Sequence, residues 1–426
     1  MPLLEKPRKR IWLDLRPLQN GYAGRGIGRH TREMLRALLK VQRQKAELQR
    51  FELAAVAFEN SAAPTDSENL RQVVQGLSLA LTVPRWKRVW LWDQCVLGMN
   101  LAVGKPFNSG CDLFHSFVAL GPLADSSIPL LGAGKCVATI HDWHLFESGA
   151  EPVLQAYRLT WRIRLQTWAF SHLAAAIAVS DLTKEQTAQQ TFTGPDKIEV
   201  IQAGCDHLDT VVVLEEVGNL SWVADRLPGF NPSLPYVLSI GDTAGKNLGF
   251  AAEVISRVLA VNPQLQWVIL GDAEKVAQQI GKLALLPGVG AIRPAPSFTK
   301  GDAVKSPAVK SSGFIDDAHL KALYLKATAL LFPSTREGFG IPIIEAMRLG
   351  CPVVASRIEP FISTMGEGGI LHSLSNPQDF AQDIVSLLQH SDARTRRIAG
   401  GQKQAEKLTW ERSAQKLWSL WQSVLE

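Results

Sequence analysis

The sequence predicts an α/β protein with two doubly wound parallel-sheet domains, and three observations support this prediction. Short apolar runs alternate with helical patterns along most of the chain, which is typical of a parallel sheet covered on both faces. This rhythm pauses at 206–235, where prolines and glycines cluster. The chain has 426 residues, and roughly 150 residues per domain makes two domains the first expectation.

The strand-like runs are short, apolar and bounded by turn residues. In the first half they are 11–15, 53–58, 113–117, 136–140, 174–179 and 198–201, and in the second half 236–240, 267–270, 330–332 and 353–355. Helical patterns cover 27–41, 85–103, 151–171, 181–190 and 248–261, and further helices start near Pro342 and Trp410. A stretch rich in Pro, Lys and Ser, 287–312, interrupts the second half.

These elements define the predicted domain limits. Residues 1–205 form an N-terminal Rossmann-like domain, 206–235 an interdomain linker, and 236–408 a C-terminal Rossmann-like domain facing the first across a central cleft. Residues 409–426 form a C-terminal helix that crosses back to the first domain. Ligands of open α/β sheets bind at the carboxyl ends of the strands, so the chemistry is expected there.

Composition excludes several classes of protein. Apolar residues make up 46% and charged residues 20%, which are ordinary values for a globular protein and argue against disorder. The net charge of +5 is too small to indicate nucleic-acid binding. Residues 1–50, however, carry 13 basic and 4 acidic side chains, or +9, so the other residues sum to −4.

Cysteine usage and hydropathy predict a cytoplasmic protein. The five cysteines are scattered and form no C-x-x-C pair, which argues against a disulfide framework and a zinc site. No signal peptide is visible, and no apolar run is long enough to span a membrane.

The most specific segment is 331–350, LFPSTREGFGIPIIEAMRLG. A loop holding Glu337 follows a predicted strand, and Gly338 and Gly340 let the backbone come close to a ligand. Pro342 suits the first turn of a helix, whose N-terminal amides can receive phosphate charge. Glu345 lies in the first turns of that helix. A lone glutamate there commonly complements the helix dipole, but two in this register favour binding of sugar or ribose hydroxyls.

This segment resembles the paired-glutamate motif of retaining GT-B glycosyltransferases, specifically family 4, or glycosyl transferase group one. The resemblance implies a hexosyltransferase. It also implies that Glu345 binds the nucleotide ribose. Glu337, with Gly338, Phe339 and Gly340, would contact the donor sugar.

Residues 24–38, GRGIGRHTREMLRAL, resemble the glycine loop and first helix of that family. The amides of Gly26 and Gly28 are then expected to face the donor diphosphate and the acceptor. Taken alone, the glycines are equally typical of a tight turn, and no acidic residue follows at dinucleotide-binding spacing. Arg29 and His30 are predicted to be solvated helix residues, and a role as ligand-binding residues is the alternative.

Residues 139–147, TIHDWHLFE, place His141 and Asp142 directly after a predicted strand. The pair is similar to the family's His-Asp segment, whose His lies near the donor sugar and phosphate. His141 is therefore predicted to be catalytic, and a buried structural histidine is the alternative. His115 and His144 are weaker candidates.

Other family-like segments favour structural roles. Ser180 suits an N-cap, and Asp206 matches the crossover into the second domain. Gly313 and Phe314 are expected near the nucleotide base.

The segment 239–247, SIGDTAGKN, departs from the family pattern. Lys246 and Asn247 are expected at the donor diphosphate, but Gly245 stands where family members often carry Arg, and Asp242 adds a negative charge. The leaving diphosphate needs cations. The helix dipole, Arg336 or an N-terminal Arg is expected to supply the missing charge.

No cofactor and no metal are expected, because the chain lacks a D-x-D sequence and the family resemblance implies a metal-independent reaction. The donor is predicted to be a GDP- or UDP-linked sugar. The basic face of the first helix and the run 83–92, VPRWKRVWLW, suit peripheral contact with anionic membrane; a solvated helix face is the alternative.

The sequence thus predicts a retaining glycosyltransferase that moves a hexose, with a lean towards mannose, to a glycan or lipid-linked acceptor in polysaccharide or glycolipid biosynthesis. Two alternatives stay open. One is a nucleotide-sugar epimerase of the same fold, and the other is a non-catalytic nucleotide-sugar-binding protein, which the missing Arg at Gly245 would explain.

Overall fold

A computed structural model describes residues 8–19, 26–58, 77–83, 110–117, 128–143, 161–281, 289–292 and 315–426. The chain forms two compact units. The first contains Met1–Ala203 together with Trp410–Glu426, and the second contains Gly204–Thr409.

The first unit is built on a seven-stranded parallel sheet with the order β3-β2-β1-β4-β5-β6-β7. Its strands are β1 (Lys9–Asp14), β2 (Phe51–Phe58), β3 (Ser78–Val83), β4 (Leu113–Ser116), β5 (Cys136–Ile140), β6 (Ala175–Ala178) and β7 (Ile198–Val200). The strand order reverses between β1 and β4, which is the topological switch point of a Rossmann-like sheet.

The described helices of the first unit are α1 (Gly26–Gln44), α2 (Trp161–Ser171), α3 (Asp181–Thr191) and, from the end of the chain, α13 (Trp410–Leu425). Helix α13 packs on α1, and its Trp418 and Trp421 are among the largest fully buried side chains. Ser180 caps α3 by accepting a hydrogen bond from the amide of Thr183, the role expected for it.

The second unit contains a six-stranded parallel sheet with the order β10-β9-β8-β11-β12-β13. Its strands are β8 (Tyr236–Ile240), β9 (Gln266–Leu270), β10 (Val289–Ile292), β11 (Ala329–Phe332), β12 (Val353–Ser356) and β13 (Ile370–His372). Its helices are α4 (Glu215–Gly218), α5 (Ser221–Ala224), α6 (Leu248–Val261), α7 (Ala273–Ile280), α8 (Asp317–Lys326), α9 (Ile341–Arg348), α10 (Phe361–Met365), α11 (Pro377–Gln389) and α12 (Ser391–Ala405).

The core of the second unit explains why its strands read as continuous apolar runs. Helices α6 and α11 cover one face of the sheet and pack on each other. Trp267, Leu331 and Val354 are buried beneath them. Both faces of a parallel sheet are covered, so its strands carry apolar side chains without alternation.

The structure differs from the sequence prediction in several places, among them the predicted linker and the stretch 287–312. The segment 206–235 is part of the second unit rather than a separate linker: Leu208, Leu220 and Val223 are fully buried there. Its glycines and prolines break the apolar periodicity, which hid this packing. The edge strand β10 lies within the stretch 287–312, where Gly290 and the short run of apolar residues obscured it.

Candidate active site

The switch point of the second sheet brings two predicted site segments together. Strand order reverses between β8 and β11, and open α/β sheets bind ligands at the carboxyl ends of strands at such a point. The loop after β8 carries Lys246 and Asn247, and the loop after β11 carries Glu337.

The loop after β8 is shaped to project Lys246. Gly241 has a φ of +102°, and a β-carbon there would lie 2.8 Å from the Cε atom of Lys246. The chain then makes a 3-10 turn over Ala244–Lys246. Asn247 follows with a left-handed φ of 55° immediately before α6, a conformation that asparagine tolerates better than most residues. A glycine at 241 is therefore required by both backbone and neighbour.

The loop after β11 ends in a helix start of the predicted kind. Gly340 has a φ of +95°, and a β-carbon there would lie 2.8 Å from Cε1 of Phe361. Pro342 occupies the first turn of α9, where its missing amide proton costs nothing. Phe339 is buried, whereas Gly338 is half-buried.

Lys246 and Glu337 form an ion pair that joins the two loops. Ser334 donates a hydrogen bond to the same carboxylate oxygen, Oε1, at 2.9 Å. The Lys246 ammonium also lies 4.4 Å from the ring centroid of Phe332, a cation–π contact. The two side chains stay 20% and 17% exposed, so a ligand can reach the pair.

Arg336 lies beside the position where the family pattern places a basic residue. The nearest atom to a β-carbon built at Gly245 is Cγ of Arg336, at 3.9 Å, and the Thr335 amide donates to the Gly245 carbonyl at 2.9 Å. Arg336 is exposed, and it has no ion pair or hydrogen bond within the described part of the chain. The Asp242 carboxylate accepts the Asp272 amide at 2.7 Å.

Glu345 lies on α9 and is only 2% exposed. Tyr324 donates a hydrogen bond from its hydroxyl to Oε2 at 2.9 Å. Nε2 of His207 lies 3.0 Å from Oε1, and the side chains of His207 and Glu345 are each 3% exposed. No acidic residue occupies the first turn of α9, so Glu345 is not a helix-start acid.

His207 and Tyr324 are the residues near the predicted site that sequence reasoning missed. Tyr324 lies on the buried face of α8 together with Leu320 and Leu323, a spacing that is typical of core residues. His207 follows Asp206 in a segment without periodicity. The one sequence signal for His207 is its position directly after the family-like Asp206.

In the first unit, Gly26 and Gly28 lie in the first turn of α1 rather than in a loop before it. The amides of a first helical turn lack intrahelical acceptors, so they are still able to donate to a ligand. His30 is 3% exposed, and the prediction that it is solvated is wrong. Its two ring nitrogens have no hydrogen-bond partner among the described residues.

His30 and His141 meet edge to face, with ring centroids 4.8 Å apart. Nε2 of His141 lies 2.9 Å from the Phe117 carbonyl, to which it donates. Burial lowers the pKa of His141, although the Phe117 carbonyl and Asp142 oppose this. Burial, followed by His141 and His115, lowers the pKa of His30 well below its usual value.

His115 is held inside the core of the first unit. Its Nδ1 accepts a hydrogen bond from Nε1 of Trp421 at 3.1 Å, and its Nε2 lies 2.9 Å from the hydroxyl of Thr139. Burial lowers the pKa of His115 to about 3. These contacts indicate a neutral structural histidine.

Several predicted features lie outside the described residues: the start of the glycine loop at Gly24, the helix at 85–103, the run 83–92 apart from Val83, His144, Gly313 and Phe314. Within the described ranges, no cluster of three His, Cys, Asp or Glu side chains is placed to hold a metal ion. Across those same ranges, every helix is too short or too polar to cross a bilayer.

The segment that holds this site is similar to a known protein family. Residues 234–390 match the family model described as glycosyl transferases group 1. The resemblance inferred from the paired-glutamate segment is confirmed, and the matched residues lie within the second unit.

Two relatives bear names of mannosyltransferases. The O-antigen chain mannosyltransferase B of Escherichia coli is 33% identical over 103 residues, which are 24% of this chain and 27% of that protein. The phosphatidyl-myo-inositol mannosyltransferase of Mycobacterium tuberculosis is 26% identical over 263 residues, 59% of this chain and 60% of that protein. The alignments therefore span about a quarter and about three fifths of these relatives.

Solved structures resemble the chain over nearly its whole length. A glycosyltransferase from Rickettsia africae has a TM-score of 0.64 at 15% identity, covering 99% of this chain and 100% of its own. HepE from Anabaena, in complex with UDP and glucose, has a TM-score of 0.66 at 16% identity, covering 97% and 100%. At such identities the likeness concerns the fold, and it confirms the predicted GT-B architecture of two Rossmann-like domains.

Proposed function

We propose that this protein is a retaining glycosyltransferase that transfers a hexose from a nucleotide-diphosphate sugar to a glycan or lipid-linked acceptor. The observation that supports the proposal best is the ion pair between Lys246 and Glu337, which joins the two loops at the switch point of the second sheet. In this proposal Glu337 orients the donor sugar and Lys246 faces the diphosphate.

The proposed reaction is a charge-separating transfer. The bond between the anomeric carbon and the phosphate oxygen breaks with its electron pair on the diphosphate, and the acceptor oxygen bonds to the same face of the sugar. The acceptor proton leaves with the nucleoside diphosphate. Negative charge grows on the leaving group, so fixed cations and amides stabilise the transition state.

Arg336 is proposed as the second cation. It lies next to Gly245 and carries no ion pair within the described residues, so its guanidinium is available for a phosphate. Arginine suits this role because its planar donors match phosphate oxygens. The amides of the turn Gly338–Gly340, together with Asn247, are proposed to complete the donor site in the second unit. Gly26, Gly28 and His141 keep their predicted roles toward the donor as part of the proposal.

Donor binding is the first test. A thermal-shift series with GDP-, UDP- and ADP-sugars should show stabilisation by one of them, by about 2.7 kcal/mol at a hundredfold excess over the dissociation constant. Mannose is favoured by the names of two relatives, so GDP-mannose is the leading candidate. If none of the donors shifted the melting temperature, donor binding would be rejected.

Catalysis is tested separately from binding. Release of nucleoside diphosphate with a glycan or lipid-linked acceptor should fall by a factor of roughly 100 or more in Glu337→Gln and Lys246→Met, because each removes a charge at the reacting group. NMR of the product should show the anomeric configuration of the donor. Epimerised donor without transfer would identify the epimerase alternative. Donor binding without turnover on any glycan or lipid-linked acceptor tested would support the alternative of a non-catalytic nucleotide-sugar-binding protein.

Peripheral contact with anionic membrane is proposed through the exposed part of α1. Its basic face is partly neutralised: Arg36 pairs with Glu33 and Lys40 with Glu411, whereas Arg43 is exposed. Sedimentation with phosphatidylglycerol vesicles at low and high salt tests this idea, and absence of binding at low salt would reject it.

A further inference from the structure

We infer that His207 and Tyr324 are positioning residues that present the Glu345 carboxylate to the ribose hydroxyls of the nucleotide. The inference rests on the proposed function, since it requires a nucleotide at this site. It adds two residues to the site and states what they do there: they fix the orientation of the ribose acceptor without touching the reacting atoms.

The geometry supports this inference first. Each carboxylate oxygen of Glu345 has its own neighbour, the Tyr324 hydroxyl at 2.9 Å from Oε2 and the His207 Nε2 at 3.0 Å from Oε1. A planar carboxylate contacted at both oxygens by groups on different segments cannot rotate about its terminal torsion without losing one of them. The orientation of Glu345 is therefore set before any ligand arrives.

The energetics explain why such contacts are needed. Glu345 is 2% exposed, and a buried carboxylate without polar neighbours is strongly destabilised. Hydrogen bonds to an ionised acceptor are also stronger than neutral ones. A preset, desolvated carboxylate is thus a strong acceptor for ribose hydroxyls.

The backbone around His207 is itself fastened to the helices that carry its partners. Arg348 on α9 binds Asp209 through two hydrogen bonds of 3.1 and 2.6 Å. Lys321 on α8 donates to the carbonyls of Leu208, Asp209 and Val211 at 2.8, 3.1 and 2.9 Å. His207 therefore keeps a fixed position relative to both Tyr324 and Glu345, as a positioning residue must.

A second buried tyrosine supplies the matched control. The Tyr236 hydroxyl donates to the Leu323 carbonyl at 2.6 Å, and Tyr236 and Tyr324 are 2% and 0% exposed. Both belong to the second unit and both lose one buried hydrogen bond when changed to Phe. Only Tyr324→Phe removes a contact with Glu345.

The experiment measures ribose recognition directly by isothermal titration calorimetry on the full chain. The probes are GDP and UDP, with their 2′-deoxy and 3′-deoxy forms. In the wild type, loss of the recognised hydroxyl should weaken binding by about tenfold. In Tyr324→Phe and His207→Leu, that ribo-to-deoxy ratio should fall to about twofold or less, whereas Tyr236→Phe should keep the wild-type ratio. His207→Gln, which retains a side-chain donor, should recover part of it.

Two failures are distinguishable. If neither GDP nor UDP binds the wild type, the proposed function fails. If one of them binds but Tyr324→Phe and His207→Leu keep the wild-type ratio, or the wild type does not discriminate against either deoxy form, the positioning role is overturned while nucleotide binding stands. A turnover assay adds a second readout: the variants should raise KM for the donor several-fold with little change in kcat.

Discussion

At the residue scale, two glycines that lie four residues apart on the loop after β8 have opposite requirements. Gly241 has a φ of +102° and abuts the side chain of Lys246, whereas Gly245 has open space out to 3.9 Å and no left-handed φ. The sequence showed only that Gly245 replaces an expected Arg. The glycine that the site cannot lose is Gly241.

This difference yields a paired prediction. Gly241→Ala should destabilise the protein by about 1–3 kcal/mol and weaken nucleoside-diphosphate binding, because the new β-carbon displaces Lys246. Gly245→Ala should be neutral or stabilising by up to about 1 kcal/mol. Urea unfolding and calorimetric titration with GDP and UDP compare the two. Equal effects of the two substitutions would contradict the prediction.

The two glutamates, Glu337 and Glu345, were predicted from the sequence, but their contacts were not. Spacing in the sequence predicted that Glu337 and Glu345 lie on one segment, but not that one would be paired with Lys246 and the other enclosed by His207 and Tyr324. These partners come from other loops and helices. Their contacts depend on the packing of elements, which no local pattern encodes.

At the element scale, helix α13 is the main addition that the end of the chain makes to the first unit. It packs on α1, and Nε1 of Trp418 donates to the Leu38 carbonyl at 3.2 Å. The ring of Trp418 also lies 5.1 Å from that of Trp421 and 5.7 Å from that of Phe51. The Trp- and Leu-rich pattern thus reflects a buried face.

We expect Trp418→Ala to lower the free energy of unfolding by about 3–5 kcal/mol, as for other large aromatic residues truncated in a core. Lys416→Ala, on the exposed face of the same helix, should stay within about 0.5 kcal/mol of the wild type. Chemical denaturation followed by circular dichroism measures the free energy of unfolding of both variants. A small effect at Trp418 would mean that α13 contributes little to the first unit.

Element prediction succeeded where apolar runs were continuous. Strands 136–140 and 236–240 have the predicted limits, and α6 covers the predicted 248–261. Prediction missed the longer helices α11 and α12. It also missed short elements, including β10, which contains Gly290, and α4 and α5, which have four residues each. Short elements carry too few residues to show a period, so only packing against the rest of the unit defines them.

At the scale of the whole molecule, buried histidines link stability to pH. Burial lowers the pKa of His115 to about 3, and it lowers the pKa values of His30 and His141 as well. In the unfolded chain a histidine titrates near pH 6.5. Between about pH 6.5 and pH 3 the unfolded state therefore binds protons that the folded state does not, and stability decreases as the pH falls.

We expect the free energy of unfolding to decrease below pH 6.5, with each such histidine adding up to about 1.4 kcal/mol per pH unit. His115→Asn should reduce this slope, whatever its effect on stability at pH 7.5. His390→Asn, at an exposed position, should leave the slope unchanged. Urea unfolding between pH 7.5 and pH 5.0 gives the slopes. Equal slopes in His115→Asn and the wild type would contradict the prediction that buried His115 contributes to the loss of stability at low pH.

Apolar runs, helix starts and the paired-glutamate segment are local patterns, so the sequence alone was enough to predict two parallel-sheet domains and the family resemblance of the second. Which residues contact each other is visible only in the folded structure. It placed Arg336 beside Gly245, His207 and Tyr324 on Glu345, and His30 in the interior against His141. The physical reason is that local patterns set backbone conformation, whereas burial and polar pairing depend on residues brought together from distant parts of the chain.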